Sequence, residues 1–217
     1  MAQELVDRAR HADAFANADQ LENNPLPSLV ARLGIESILD VGCGALGQLL
    51  VRLAVEQPDF RAWGLEANPR MRALAKAGAR AAQVGGRVRI LADDGRQVSA
   101  HLDQRIRNKL QAVVAVQFVN ELFGQGEQAA TDWLRMLRDC LPGLLLIVSD
   151  YYSLARLHAA RSAAPDPGAR PRAAAVRPGR SPADARLDPD LPACLGVRLI
   201  HAIEDVSSTR YIHILAL

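Results

Sequence analysis

Cysteine is scarce in this chain: Cys43, Cys140 and Cys194 are the three in 217 residues. They are scattered, odd in number and form no C-x-x-C, so neither a disulfide framework nor a cysteine metal site is indicated, and a reducing cytoplasm is the expected setting. No apolar run approaches the roughly 20 residues that span a bilayer, so no membrane helix is expected. The start, Met1-Ala2-Gln3-Glu4, is polar and acidic and does not read as a signal peptide. Charge of one sign is missing too. Against 26 Lys and Arg stand 24 Asp and Glu, a formal +2, which gives no case for nucleic acid as a partner. The histidines include no i, i+4 pair, so no metal is expected. With 49% hydrophobic residues, what remains is a chain able to bury one sizeable core.

What is present is an alternation of strand and helix signals. Ser37–Val41 reads as a first strand, after a short helix carrying Leu29, Val30 and Leu33 that Gly34 caps. Leu46, Leu49, Leu50, Leu53 and Ala54 then recur at helical spacing until Pro58. A second strand delivers Glu66, and Asn68-Pro69 is a helix start with an Asn cap and Pro in the first turn. That helix turns Met71, Leu74, Ala75 and Ala79 inward, and Arg70, Arg72, Lys76 and Arg80 to solvent. Residues 87–91 predict a third strand before Asp93-Asp94-Gly95, and Val98, Leu102, Ile106 and Leu110 predict one helix. Residues 112–119, apolar but for Gln117, read as a central parallel strand buried on both faces. A helix around Trp133, Met136, Leu137 and Cys140 leads to a fifth strand over residues 144–149, ending at Asp150-Tyr151-Tyr152. Residues 197–203 and 210–217 close the chain as an antiparallel hairpin. The fold class expected is α/β: Rossmann-like, doubly wound, a mostly parallel sheet with that hairpin at its C-terminal end.

Two stretches stand apart. Residues 1–34 read as an N-terminal helical cap segment, and 35–217 as the catalytic-type domain. Within the latter, residues 163–193 alternate Pro with Arg, Ala, Gly and Asp and hold almost no large apolar side chain. Such a composition cannot form a packed element and predicts a disordered insertion. A surface loop and a local reading-frame error in the gene both account for it.

The chemistry is concentrated in Asp40-Val41-Gly42-Cys43-Gly44 and in Glu66. Glycines let the backbone approach a ligand, and a carboxylate at the end of the next strand can receive two ribose hydroxyls, so this is half of a nucleoside site. Asp40 decides which nucleoside. A dinucleotide would set its pyrophosphate against the glycine turn, where a carboxylate repels it. S-adenosylmethionine brings an ammonium and a sulfonium there, and a carboxylate suits both.

On the acid-x-Gly-x-Gly of Asp40, Gly42 and Gly44, with Glu66 behind it, the chain resembles the class I S-adenosylmethionine-dependent methyltransferases. Segments 63–69 and 118–122 look most like bacterial small-molecule enzymes of secondary metabolism. One departure is Gly47, which completes G-x-G-x-x-G and keeps a nicotinamide-dependent oxidoreductase as an alternative. The resemblance implies that Gly42 and Gly44 lie under the methionine part of the cofactor, that Asp40 orients its ammonium, and that Glu66 takes the ribose. It also implies Asn68 on the adenine side, Asp93 or the adjacent Asp94 on the adenine amino group, and Gln117 and Phe118 against sulfonium or adenine. Asn120 and Glu121 are the implied acceptor-binding or proton-abstracting pair. Gln111 stands where an acid often precedes the fourth strand. The function implied is methyl transfer to carbon, oxygen or nitrogen of a small-molecule acceptor. The lid is shorter than in many members, so the pocket is open, completed by a homodimer or another partner chain, or defective. A non-catalytic methyltransferase-like protein that keeps the fold and cofactor binding is the alternative from another class.

Overall fold

A computed structural model describes residues 25–45, 47–98, 102–151, 197–205 and 210–217. The expected helix within residues 1–24, the insertion at 163–193 and Tyr152 lie outside the described residues. The elements run α1 (Leu26–Arg32), β1 (Ser37–Val41), α2 (Gln48–Glu56), β2 (Arg61–Leu65), α3 (Pro69–Ala81) and β3 (Val88–Leu91). After them come α4 (Gln104–Arg107), β4 (Ala112–Val116), α5 (Val119–Phe123), α6 (Glu127–Cys140), β5 (Leu145–Tyr151), β6 (Arg198–Asp205) and β7 (Arg210–Ala216).

The strands form one seven-stranded sheet in the order β3-β2-β1-β4-β5-β7-β6. Strands β1 to β5 are parallel, and β7 runs antiparallel to both β5 and β6. The closing hairpin is therefore as the sequence predicts, with its second strand inserted beside β5 and its first at the edge. The order of the strands reverses between β1 and β4, where crossovers turn to opposite faces of the sheet. That is where a doubly wound sheet opens a crevice at its strand ends.

Side-chain alternation splits the core in two. Ile38, Ala62, Val114 and Ile147 face α1, α2 and α3, meeting Leu26, Leu50, Leu53 and Ala75. Leu39, Trp63, Val113 and Val148 face the other way, toward Leu122, Trp133 and Leu137 of α5 and α6. Asn68 caps α3 as its sequence predicts, accepting from the N–H groups of Arg70 at 2.9 Å and Met71 at 3.3 Å.

Two expectations are corrected. The apolar run over 112–119 is not one strand: β4 ends at Val116, Gln117 turns the chain with φ +57°, and Val119 begins α5. The helical spacing from Val98 to Leu110 does not form one helix either. Asp94 caps a 3₁₀ turn over Gly95–Gln97, and Asp103 caps the separate short α4 through the Arg105 N–H. Each Asp offers the backbone an acceptor where a continuous helix would need none, so the chain restarts.

Candidate functional site

The glycine turn after β1 is held from β2: the N–H groups of Gly42 and Cys43 both donate to the carbonyl of Leu65, each at 3.0 Å. Gly42 and Gly44 have φ +74° and +71°, the left-handed region that glycine occupies without strain. Their surroundings differ. A Cβ on Gly42 would meet the Phe118 ring at 3.0 Å, whereas one on Gly44 would meet nothing within 4 Å. The open ground in front of the turn is therefore at Gly44. Gly47 serves the fold instead, starting α2 in a left-handed conformation (φ +51°) with Ala75 and Ile90 beside it. The third glycine thus answers a backbone need, not a pyrophosphate.

Two carboxylates lie under this turn. Asp40 pairs with Gly64 across β1 and β2, and Glu66 follows two residues after Gly64, so both acids belong to one face of the sheet. They are 3% and 8% exposed. Glu66 accepts from the Gly44 N–H at 3.1 Å through Oε2 and from the Asn68 N–H at 2.8 Å through Oε1. Asp40 Oδ1 is buried and has no hydrogen-bond partner among the described residues. Burial first, and the nearby Glu66 charge second, push the Asp40 carboxyl up from 3.8 to about 7. Burial, aided by both acids, also pushes the Cys43 thiol up. The close approach of Cys43 depends on Gly64, where a Cβ would sit 2.6 Å from Cys43 Sγ and 2.9 Å from Leu50. Sequence reading passed over Gly64, although a glycine inside an apolar strand signals a close neighbour.

On the next loop, Asp93 and Asp94 separate in role. Asp94 accepts from the Arg96 N–H at 2.9 Å and pairs with its guanidinium at 2.7 Å. Asp93 stands half-buried one residue nearer β3. Gly95 is buried, its carbonyl accepting from Trp133 Nε1 at 2.8 Å. A Cβ there would lie 2.2 Å from Val41 and 3.1 Å from Phe118.

At the end of β4 the outcome is mixed. Gln117 is half-buried, keeps its left-handed turn, and donates its N–H to the carbonyl of Ser149 at 2.8 Å. A non-glycine residue held at positive φ at a strand end is a mark of functional geometry. Phe118 is a core residue: 8% exposed, it packs between Gly42 and Gly95 with its ring centroid 5.3 Å from that of Trp133. Asn120 is gripped by Asp150, whose Oδ2 accepts its backbone N–H at 3.0 Å and whose Oδ1 accepts its side-chain amide. Asp150 is 1% exposed and was no candidate from sequence; its contact spans 30 residues. Glu121 stands exposed in the first turn of α5. Gln111, the departure at the start of β4, sits at the far end of the sheet, where its side chain accepts from the N–H groups of Glu36 at 2.6 Å and Ser37 at 3.1 Å.

Asp40, Gly42, Gly44 and Glu66 are thus gathered at the ends of β1 and β2, with Gly44 and Asn68 bonded to Glu66. Gln117 and Asn120 lie at the neighbouring strand ends, Asp94 and Phe118 have structural partners, and Glu121 faces solvent. Among the described residues no group of His, Cys, Asp and Glu could hold a metal ion, and no helix is long and apolar enough to cross a membrane.

No protein-family model matches the chain, and no curated protein matches its sequence. Solved structures do. A methyltransferase dependent on S-adenosylmethionine from Aquifex aeolicus has a TM-score of 0.63 at 15% identity, with 96% of this chain and 98% of that one covered. NcsB1, an O-methyltransferase of neocarzinostatin biosynthesis solved with S-adenosylmethionine and a hydroxynaphthoic acid, gives 0.57 at 14% identity, covering 84% of this chain but 49% of its own. An RNA methyltransferase from Salinibacter ruber solved with S-adenosylhomocysteine gives 0.50 at 16% identity, with coverages of 88% and 89%. The chain therefore spans about half the length of NcsB1. The shared architecture is the class I methyltransferase fold; at these identities the likeness is one of fold.

Proposed function

We propose that this protein binds S-adenosylmethionine at the turn after β1 and transfers its methyl group to a small-molecule acceptor. The observation that carries the reading is Asp40, a buried carboxylate with an orphaned oxygen directly before the glycine turn. A cationic amino acid would supply the donor that this oxygen lacks, which a pyrophosphate, an acceptor only, would not. Support comes from the neighbours: NcsB1 and the Salinibacter ruber enzyme were solved with S-adenosylmethionine and S-adenosylhomocysteine respectively.

Gly42 and Gly44 would let the backbone lie along the methionine part, Asp40 would face its ammonium, and Glu66 the ribose. Glu66 already accepts two N–H groups, and a carboxylate has room for further donors. Asp93 would take the adenine amino group, because Asp94 is committed to Arg96 and to its own turn. The cofactor supplies a methyl group activated by a positive sulfur. The protein's part is to hold that sulfur and the acceptor in line and exclude water. Gln117 and Asn120 would border the acceptor on the β4 and β5 side. The choice of small molecule over RNA rests on the balanced charge and on the segment resemblance.

The exposure of Glu121 favours a second reading, a protein that keeps cofactor binding without turnover. Mass spectrometry of the denatured protein tests the shared premise: S-adenosylmethionine or S-adenosylhomocysteine released from it is the expected result. Calorimetric binding of S-adenosylmethionine should agree. Binding of NADH with neither of these would overturn both readings. A scan of phenols, keto acids and amines for methyl uptake then separates enzyme from binder.

A further inference from the structure

The two acids beneath the glycine turn are solvated in opposite ways. Glu66 receives two backbone N–H groups. Asp40, on the same sheet face and more deeply buried, has an oxygen with no donor. Resting on the cofactor reading above, we propose that Asp40 carries a proton while the site is empty and that the ammonium of the arriving nucleoside displaces it. The neutral carboxyl loses its O–H bond, the proton passes to solvent, and the carboxylate pairs with the ammonium. At Asp40 itself one cation takes the place of another.

Among the described residues, the surroundings of Asp40 offer it no counter-charge. Its strand partners are Gly64 on β2 and Val114 on β4. The ionisable groups around it are Glu66 and the Cys43 thiol, which is pushed toward its neutral form. Helix α2 presents Leu49, Leu50, Leu53 and Ala54 to this face, and α3 presents Ala75 and Ala79. The nearest cation of α3, Arg72, spends one guanidinium nitrogen on the carbonyls of Glu66 and Ala67. A carboxyl pushed up to about 7 by burial and by Glu66 agrees with this arrangement.

Titration of S-adenosylmethionine into the protein in two buffers of different ionisation enthalpy reads the protons released. The expectation is about 0.9 proton at pH 6 and about 0.5 at pH 7, with affinity rising about fivefold between them. Methylthioadenosine, which lacks the amino-acid part, should bind without release. Asp40→Asn should abolish release. The infrared band of a protonated carboxyl, present in the empty wild-type protein and lost on binding, checks the same point without a variant. Binding of S-adenosylmethionine with no release at either pH overturns the exchange, as does equal release by methylthioadenosine or persistence in Asp40→Asn. No binding of either nucleoside overturns instead the cofactor reading on which the exchange rests.

Discussion

The two sides of the crevice secure their polar groups differently. On the β1–β2 side, short-range geometry governs: Gly42, Gly44 and Asn68 lie within a few residues of their strand ends, and Leu65 and Glu66 receive their N–H groups. On the β4–β5 side, a single buried carboxylate, Asp150, reaches across to the start of α5 and fixes Asn120. The first side leaves a buried oxygen for a ligand to satisfy; on the second, Phe118 fills the space between Gly42 and Gly95. A half set by hydrogen bonds at its strand ends thus faces a half defined mainly by packing.

The largest way to sharpen this contrast is Asp40→Asn. The folded-state carboxyl is raised from 3.8 to about 7, so its stabilising contribution is present below pH 4 and is lost as pH rises through 7. That rise corresponds to about 4 kcal/mol at most. Chemical denaturation of the empty protein should show Asp40→Asn gaining on wild type by up to about that amount between pH 4 and pH 8. A difference independent of pH would mean Asp40 is ionised throughout.

Gly44→Val probes the open ground of the same side. A Cβ there meets no protein atom within 4 Å, so the variant should fold, with about 1–3 kcal/mol lost to a β-branched residue at φ +71°. S-adenosylmethionine affinity should fall by at least about 100-fold, roughly 3 kcal/mol, because the new side chain occupies the ligand's side. Calorimetry showing wild-type affinity would move the ligand elsewhere. Glu66→Ala should lose about 2–3 kcal/mol of affinity, the value of hydrogen bonds to a charged acceptor. Binding within a factor of two of wild type would leave Glu66 a backbone clamp for Gly44 and Asn68.

Legibility followed the same divide. Asp40, Gly42, Gly44, Asn68 and Glu66 stand in contiguous motifs, and their spacing carries their relation before any folding. The parallel order and closing hairpin were legible because apolar runs alternate with helical spacing. Asp150 was not, because its partner lies 30 residues away and only the pairing of β4 with β5 brings them together. The role of Phe118 was hidden by the apolar run of residues 112–119, which gives no sign that the chain turns at Gln117. Gly95 read as part of an acidic loop, and its buried place between Val41 and Phe118 depends on a contact from β1.

Asp150→Ala tests the far side. It removes the acceptor of two Asn120 groups, and because Asn120 is half-buried and can recruit water, the loss should be about 2 kcal/mol of stability. S-adenosylmethionine affinity should change by less than about threefold, since the β1–β2 side is untouched, and hydrogen exchange should speed up in α5 alone. An equal loss of cofactor affinity would join the two sides into one unit.

The smallest expected effect belongs to Glu121→Gln. A base that takes a proton from a carbon acid or hydroxyl near neutral pH works best when desolvation brings its own affinity for protons up to that range. Glu121 stands exposed at the first turn of α5, where its charge complements the helix N-terminus. Neutralising it should change stability by less than about 0.5 kcal/mol, read from the midpoint of thermal unfolding. Cofactor affinity should stay within about twofold, and turnover on any acceptor the protein methylates within about threefold, because alignment by Gln117, Asn120 and the glycine turn would carry the reaction. A drop of about 100-fold or more in turnover, with cofactor affinity intact, would show instead that Glu121 is buried against the acceptor when the site is full. In that case the far side of the crevice would contribute a charged side chain to the acceptor, where the near side contributes the carboxyl of Asp40.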